Sequence, residues 1–539
     1  MVRVVNASDA VKVVRSGDTL VIGGSGGGHA VPDALMAALG QRFLETGEPR
    51  SIRAVHPVGL GDGFSKGAGH LAHEGLLDRV VSGTYVNSPA ISDLVQQGKI
   101  EGWTLPQGAL SQLMREMAAG RPGLFTKTGL HTFIDPRQGG GRQSEPRTEE
   151  LVELVKVNGE DHLFFKPYEV NVCFLRGTTA DEDGNVTMEQ EAVFGEMLSE
   201  AQATRRNGGV VIVQVKRMAR KGTLPSKQVK IPGILVDLIV VEPNQSQTYL
   251  TEYSPSYAGE VKTPMSDMKC LPFDNRKIIA RRAALELFPG SICNLGSGIS
   301  TGIANVAAEE GVLEEICLTN EQGLIGGAPA SGNDAGAASN YAAMVDQPYQ
   351  FDFYDGGGLD LAFLSFAEID QQGNVNVSRF GKRIVGPGGF INISQNARCV
   401  IFSGTFNAGK SDIGWEEGRI AIRSDGANPK FVENVTQVTF SGSYAMQRGQ
   451  RVLYVTERAV FQLTNNGVEL IEIAPGADLE RDIIARMGFR PRVCSNVREM
   501  NAGLFQMGPM DLASHLRARP ARQTPSGLQV LNDLIREQV

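Results

Sequence analysis

Apolar and polar positions along this chain fall into short blocks, and the blocks recur. An amphipathic helical spacing spans residues 7–14, a turn follows at Ser16-Gly17-Asp18, and Thr19-Leu20-Val21-Ile22 reads as a strand. Gly23-Gly24-Ser25-Gly26-Gly27-Gly28-His29 comes next, and helical spacing resumes over 32–39. A strand, a glycine loop and a helix make a βα unit with amides open to an anion. Further on, Leu105-Pro106-Gln107-Gly108 leads into an amphipathic helix, and the polar, glycine-rich stretch 138–148 reads as a surface insertion. Strands are expected at 172–175, 210–215 and 234–241, with a turn over 181–185.

Residues 243–273 carry prolines and serines without a clear period and read as a linker. After it the order starts again. A helical pattern over 277–287 precedes the strand Ile292-Cys293-Asn294-Leu295, and Gly296-Ser297-Gly298 echoes the loop at Gly23. Glu321-Gln322-Gly323 echoes Pro106-Gln107-Gly108, and Gly373-Asn374-Val375 echoes Gly184-Asn185-Val186. Gly184 stands 28 positions before Ile212, and Gly373 stands 28 before Ile401. The reading is an α/β protein of two similar open α/β domains, 1–242 and 274–515, with a tail at 516–539. A ligand cleft between the two is the expected consequence.

Composition narrows the class. At 539 residues the chain is too long for one core, and 41% hydrophobic with 21% charged residues is ordinary for a globular protein. The net charge of −8 comes without a basic block, so a nucleic-acid partner is not expected. An anionic substrate would need positive charge supplied locally. No apolar run reaches membrane-spanning length, and no basic segment precedes an apolar signal core, which gives a cytoplasmic expectation. The six cysteines are scattered through mostly apolar stretches with no CxxC, as reduced, buried small hydrophobes would be.

Against that background one stretch stands out: Ile316-Cys317-Leu318-Thr319-Asn320-Glu321-Gln322-Gly323-Leu324-Ile325-Gly326-Gly327. A short apolar strand ends at a lone carboxylate, where open parallel sheets put their chemistry, and the glycines leave room for a close approach. Glu321 would equally serve as the cap of a following helix. The loop Gly296-Ser297-Gly298 with an acid some twenty residues on also outlines a dinucleotide site, but Thr301 stands where the third glycine belongs. No His, Cys, Asp and Glu cluster has metal-ligand spacing, so no metal is expected.

Glu321-x-Gly323-x-x-Gly326-Gly327 resembles the active-site motif of class I coenzyme A transferases. The resemblance spans nearly the whole chain. It takes in the glycine loop at 23–28, Pro106-Gln107-Gly108, the stretch 126–137, Gly357-Gly358-Leu359-Asp360, Gly373-Asn374-Val375, Gly386-Pro387-Gly388-Gly389 and Ala474-Pro475-Gly476. Single-chain members of the acetate/propionate or 3-oxoacid type have both halves fused. The resemblance implies that Glu321 is the nucleophile, forming a glutamyl-CoA thioester during transfer of CoA between a short-chain acyl-CoA and a free carboxylate. It also implies Gly389 as an oxyanion donor, with Gln107 as a polar contact from the other half. Gly296, Ser297, Gly298, Gly388 and Lys410 would lie along CoA, and Gly26, Gly27 and Gly28 along the substrate. For the glycine loop the alternative is a tight turn, and for Lys410 a solvated surface lysine. Asn320, Gln322 and Pro387 differ from the residues usual at these positions, beside the acyl pocket. CoA would be a substrate rather than a resident cofactor, the partners acyl-CoA and small carboxylic acids, and the assembly a homo-oligomer, dimer or tetramer. An acyl-CoA hydrolase on the same scaffold and a non-catalytic acyl-CoA sensor are the alternatives.

Overall fold

The computed structural model describes residues 2–145, 149–264, 268, 270–523 and 528. The β-branched runs gather into two large sheets. The first has eight strands in the order Arg3–Val5, Leu238–Val241, Val210–Val215, Val172–Arg176, Thr19–Ile22, Ile52–His56, Leu77–Ser82, Glu101–Thr104. Every neighbouring pair is parallel. A parallel sheet is covered on both faces, so its central strands are apolar along most of their length, with Thr19, Arg176 and Gln214 at or near their ends. The pleat then sorts them, with Val21, Cys173, Val211 and Val213 in one core and Leu20, Ile22, Phe174 and Ile212 in the other.

The second sheet has ten strands, and its centre runs Arg451–Val455, Cys399–Ser403, Leu361–Ser365, Ile292–Leu295, Cys317–Thr319, all parallel. These five match, one for one, the first sheet's strands beginning at Leu238, Val210, Val172, Thr19 and Ile52. A turn is duplicated as well. Asp181 Oδ1 accepts the N–H groups of Asp183 and Asn185, and Asp370 Oδ1 accepts those of Gln372 and Asn374. The same topology corrects one echo. Cys317–Thr319 occupies the place of Ile52–His56, so Glu321 corresponds to the turn after His56. Gln107 follows Glu101–Thr104, two strands farther out.

Other stretches also differ from the sequence reading. Only Leu238–Val241 forms the last strand of the first sheet, because the chain first makes a tight 3-10 turn at Gly233–Leu235. Residues 245–257 are no free linker. Gln247 and Thr248 are buried, and Thr248 Oγ1 and Thr251 Oγ1 donate to Asp334 at 2.6 and 2.7 Å. Arg142 and Gln143, inside the supposed surface insertion, pack against the sheet, Arg142 lying over the Trp103 ring. Position 515 falls inside the helix Leu512–Arg517, whose Leu516 is buried in the second core. Cys173, Cys293 and Cys399 are buried, whereas Cys317 and Cys494 are partly exposed and Cys270 is exposed. Residues 146–148 of the insertion, 265–267 and 269 of the linker, and 524–539 of the tail apart from Leu528 lie outside the described residues. Among the described residues no helix is long and apolar enough to cross a membrane.

Three helices join the halves: Gln107–Ala118 from the first, Gln347–Asp355 and Phe390–Asn396 from the second. Ile391 is buried in the first half's core. Asp355 accepts the amides of Gln112, Asn392 and Asn396, and Arg115 pairs with Asp352. A partly buried carboxylate is tolerated when its oxygens are filled in this way.

Candidate active site

Glu321 sits on a turn that the local sequence dictates. Asn320 N–H donates to Leu324 O and Asn320 Oδ1 accepts Leu324 N–H, closing a hairpin between Cys317–Thr319 and Leu324–Ile325. Asn320 Nδ2 ties the turn to Gly336 O at 2.9 Å. No helix follows directly, so capping does not account for the glutamate. Gly323, at φ +106°, has no room for a Cβ, which would lie 2.0 Å from Val345 O. At Gly327 a Cβ would lie 2.1 Å from Ser339 O. These glycines admit neighbouring backbone rather than a ligand.

The turn opens into a cleft of about 530 Å³ between the halves. Gly26, Gly27 and Gln107 from the first half line it, with Gly296, Ser297, Glu321, Gly388 and Gly389 from the second. Gly28 and Gly298 are not on its lining. Gly28 is closed off by Tyr249, whose backbone nitrogen would stand 2.7 Å from a Cβ there, and Gly298 faces Ser365. Gly27 borders the cleft but abuts Asn333 O, 2.2 Å from where its Cβ would be, so the loop's glycines chiefly serve the seam. Lys410 is exposed in a loop outside the lining. Among the described residues, Asp62 and Glu321 are the only ionisable acids or bases in the lining apart from Tyr249, so an anionic ligand meets peptide and amide N–H groups there.

Glu321 is partly exposed along the cleft, yet burial of its carboxyl pushes its pKa up. Its own backbone N–H and the side chains of Asn294 and Gln322 act the other way. Asn294 is fully buried in its strand and also donates to the Tyr354 hydroxyl, which in turn donates to Thr319 Oγ1 at 2.8 Å. Sequence reasoning missed Asn294, although an asparagine in the middle of an apolar strand was a visible signal. Tyr249 was missed too, because its segment reads as linker. It lines the cleft, and its N–H donates to Gly27 O at 2.8 Å.

Gly389 stands against the nucleophile candidate. A Cβ on it would lie 3.4 Å from Glu321 Cγ. Its N–H has no acceptor among the described residues. The preceding residue is pinned to the other half, since Gly388 N–H donates to Gly83 O at 2.8 Å and Gly388 O accepts Gln107 N–H at 2.9 Å. An unpaired amide is thus held rigidly beside a desolvated carboxyl. That pair suits acyl chemistry, in which a nucleophile and a donor for the developing oxyanion must converge. His29 does not contribute a base. It is buried, its Nε2 is paired with Ala335 O, and burial pushes it down to about 4. His131 stacks on Tyr444. Among the described residues no group of three or more His, Cys, Asp or Glu is arranged to hold a metal ion.

Known proteins share this sequence and fold. The Coenzyme A transferase family model matches residues 4–242. Caffeate CoA-transferase of Acetobacterium woodii is 44% identical over 513 residues, covering 94% of this chain and 98% of that protein. Acetate CoA-transferase YdiF of Escherichia coli O157:H7 is 42% identical over 505 residues, 94% of this chain and 95% of that one. A crystal structure of YdiF as a thioester complex with CoA superposes with a TM-score of 0.90 at 41% identity, covering 95% and 97% of the two chains. The chain therefore belongs to the single-chain family I coenzyme A transferases, and it is an enzyme that transfers CoA.

Proposed function

We propose that this enzyme exchanges CoA between a short-chain acyl-CoA and a free carboxylate by ping-pong chemistry on Glu321. The observation that carries the proposal is the Glu321 carboxyl, desolvated in the cleft beside the free Gly389 N–H. A Glu321 oxygen attacks the thioester carbonyl, the carbon–sulfur bond breaks, and CoA leaves as thiolate from an acyl-glutamyl anhydride. The thiolate then attacks the glutamyl carbonyl, the carbon–oxygen bond to the acyl group breaks, and the first acid departs as carboxylate. A glutamyl-CoA thioester remains, and an incoming carboxylate reverses both steps. No net proton moves, which fits a site whose nearby histidine is buried and neutral. Each step passes through an oxyanion, for which the Gly389 N–H is the donor. The arm of CoA runs past Gly296 and Ser297, and its binding assists chemistry at the thioester.

In this reading residues 1–242 form the acyl and carboxylate side and 274–515 the half carrying the nucleophile. Action in the cytoplasm and a homo-oligomeric assembly, dimer or tetramer, belong to the same reading. The test is intact-protein mass spectrometry after adding acetyl-CoA without an acceptor acid. A CoA adduct on the wild type, mapped to Glu321 and absent from Glu321→Ala, is the expected result. Release of free CoA with no adduct would favour hydrolysis. Binding with neither event would leave an acyl-CoA sensor.

A further inference from the structure

Behind Gln107 runs a row of buried polar groups that the reaction does not use. Gln107 Nε2 donates to Gln347 Oε1 at 3.2 Å, and Gln347 Nε2 donates in turn to Glu196 Oε1. The same oxygen accepts Ser111 Oγ–H at 2.6 Å. Gln107, Gln347, Glu196 and Ser111 are each at most 2% exposed. The row crosses the seam: Gln107, Ser111 and Glu196 belong to the first half and Gln347 to the second.

The row has a direction. An ionised carboxylate only accepts hydrogen bonds, whereas a side-chain amide donates at one end and accepts at the other. With Glu196 as acceptor, Gln347 must turn its nitrogen toward Glu196 and its oxygen toward Gln107. Gln107 must then point its nitrogen inward, which leaves its Oε1 on the cleft side. There it stands 3.8 Å from where a Gly388 Cβ would be. Glu196 is also the member of its buried pair suited to ionise. Its neighbour Glu200 has no partner on either oxygen and is pushed well above the usual range by burial, whereas Glu196, with two donors, is pushed only to about 7.

We propose that Glu196, acting through Gln347, is a positioning residue that holds Gln107 with its carbonyl oxygen, rather than its amide nitrogen, toward the cleft beside Glu321. This rests on the reading of Glu321 as the nucleophile. It divides the labour between two neighbours. Gly389 N–H serves the oxyanion, and Gln107 Oε1 takes a hydrogen bond from an N–H of the incoming CoA arm. A donor at Gln107 would lose that contact and leave the arm's amide unpaired.

The test moves the carboxylate one place along the row. Glu196→Gln keeps the shape but lets the row run in either direction, and kcat/KM for CoA exchange is expected to fall about tenfold or more. In the double variant Glu196→Gln/Gln347→Glu the new carboxylate at 347 accepts from both neighbours, so Gln107 again points its nitrogen inward. Recovery to within about threefold of wild type is expected. A merely structural ion would not be restored by the exchange. A single variant within twofold of wild type overturns the proposal, as does a folded double variant no faster than the single. If Glu196→Gln does not fold, the double variant is compared with wild type directly under the same criterion. Adduct mapping on wild type reports separately on Glu321, so failure of that reading is distinguishable from failure of the row.

Discussion

At the scale of single residues, Gly389 shows how little separates a backbone position from a reactive one. Its φ of −79° lies within the range of proline. Gly389→Pro therefore removes the N–H at a conformation the ring can adopt, and Gly389→Ala adds a carbon while keeping the N–H. Either added Cβ meets Ile393 Cδ1 at 3.3 Å and Glu321 Cγ and Phe351 Cζ at 3.4 Å, so the crowding is shared. Proline is expected to be slower than alanine by about 10²–10³ in kcat, the cost of one oxyanion donor, as measured by steady-state CoA exchange. The turn carrying Glu321 was legible in the sequence because a lone acid between an apolar run and a glycine turn is a local pattern, whereas Gly389 was reached only through the family resemblance. Asn294 and Tyr249 were not legible, since each acts on a residue far away in sequence. Gly28, Gly298 and Lys410, expected at the site through the resemblance, are not on the cleft lining. Asn320, beside Glu321, holds the turn through Leu324 and Gly336 and also lines the cleft.

At the scale of elements, the helix Met197–Arg206 carries a cost that can be read out. Glu200 lies in its first turn, packed so close to Gly23 that a Cβ there would stand 2.6 Å from Glu200 Oε2. Burial raises its pKa in the folded state. A raised folded-state pKa means that the stability it contributes is complete below the unfolded value and is lost as pH rises toward the folded one. Glu200→Met fills a similar volume without the titration. Its Tm gain over wild type is expected to be roughly 2–4 °C at pH 8 and to vanish near pH 4, followed by thermal unfolding across that range. The strands themselves were readable, because buried parallel strands are continuous apolar runs. The register of the repeat was not. Glu321-Gln322-Gly323 and Pro106-Gln107-Gly108 look alike, yet two additional strands, Leu77–Ser82 and Glu101–Thr104, separate their places in the sheets.

At the scale of the whole molecule, the two halves are held more by surface than by their covalent connection. Residues 259–262 are exposed, whereas the seam has Arg115–Asp352, the Asp355 amides and Ile391 to keep it together. A protease site placed after Glu260 should therefore yield two fragments that co-elute on size exclusion and retain CoA exchange. Fragments that separate and lose activity would assign the joining role to the connection. Fusion of two like domains was legible from the repeat, but the segment that reads as linker supplies part of the cleft wall, because Tyr249 N–H reaches Gly27 O and Thr248 and Thr251 reach Asp334, both far away in sequence. The pairing of Arg3–Val5 with Leu238–Val241 has a bearing on synthesis. The outer edge of the first sheet cannot close until the ribosome, moving at about 5–20 residues per second, has delivered residue 241. Glu321 is decoded only after that. A ribosome stalled midway therefore carries every strand of the first sheet without the turn of Glu321, and Gly388 and Gly389, which line the cleft with it, are decoded later still.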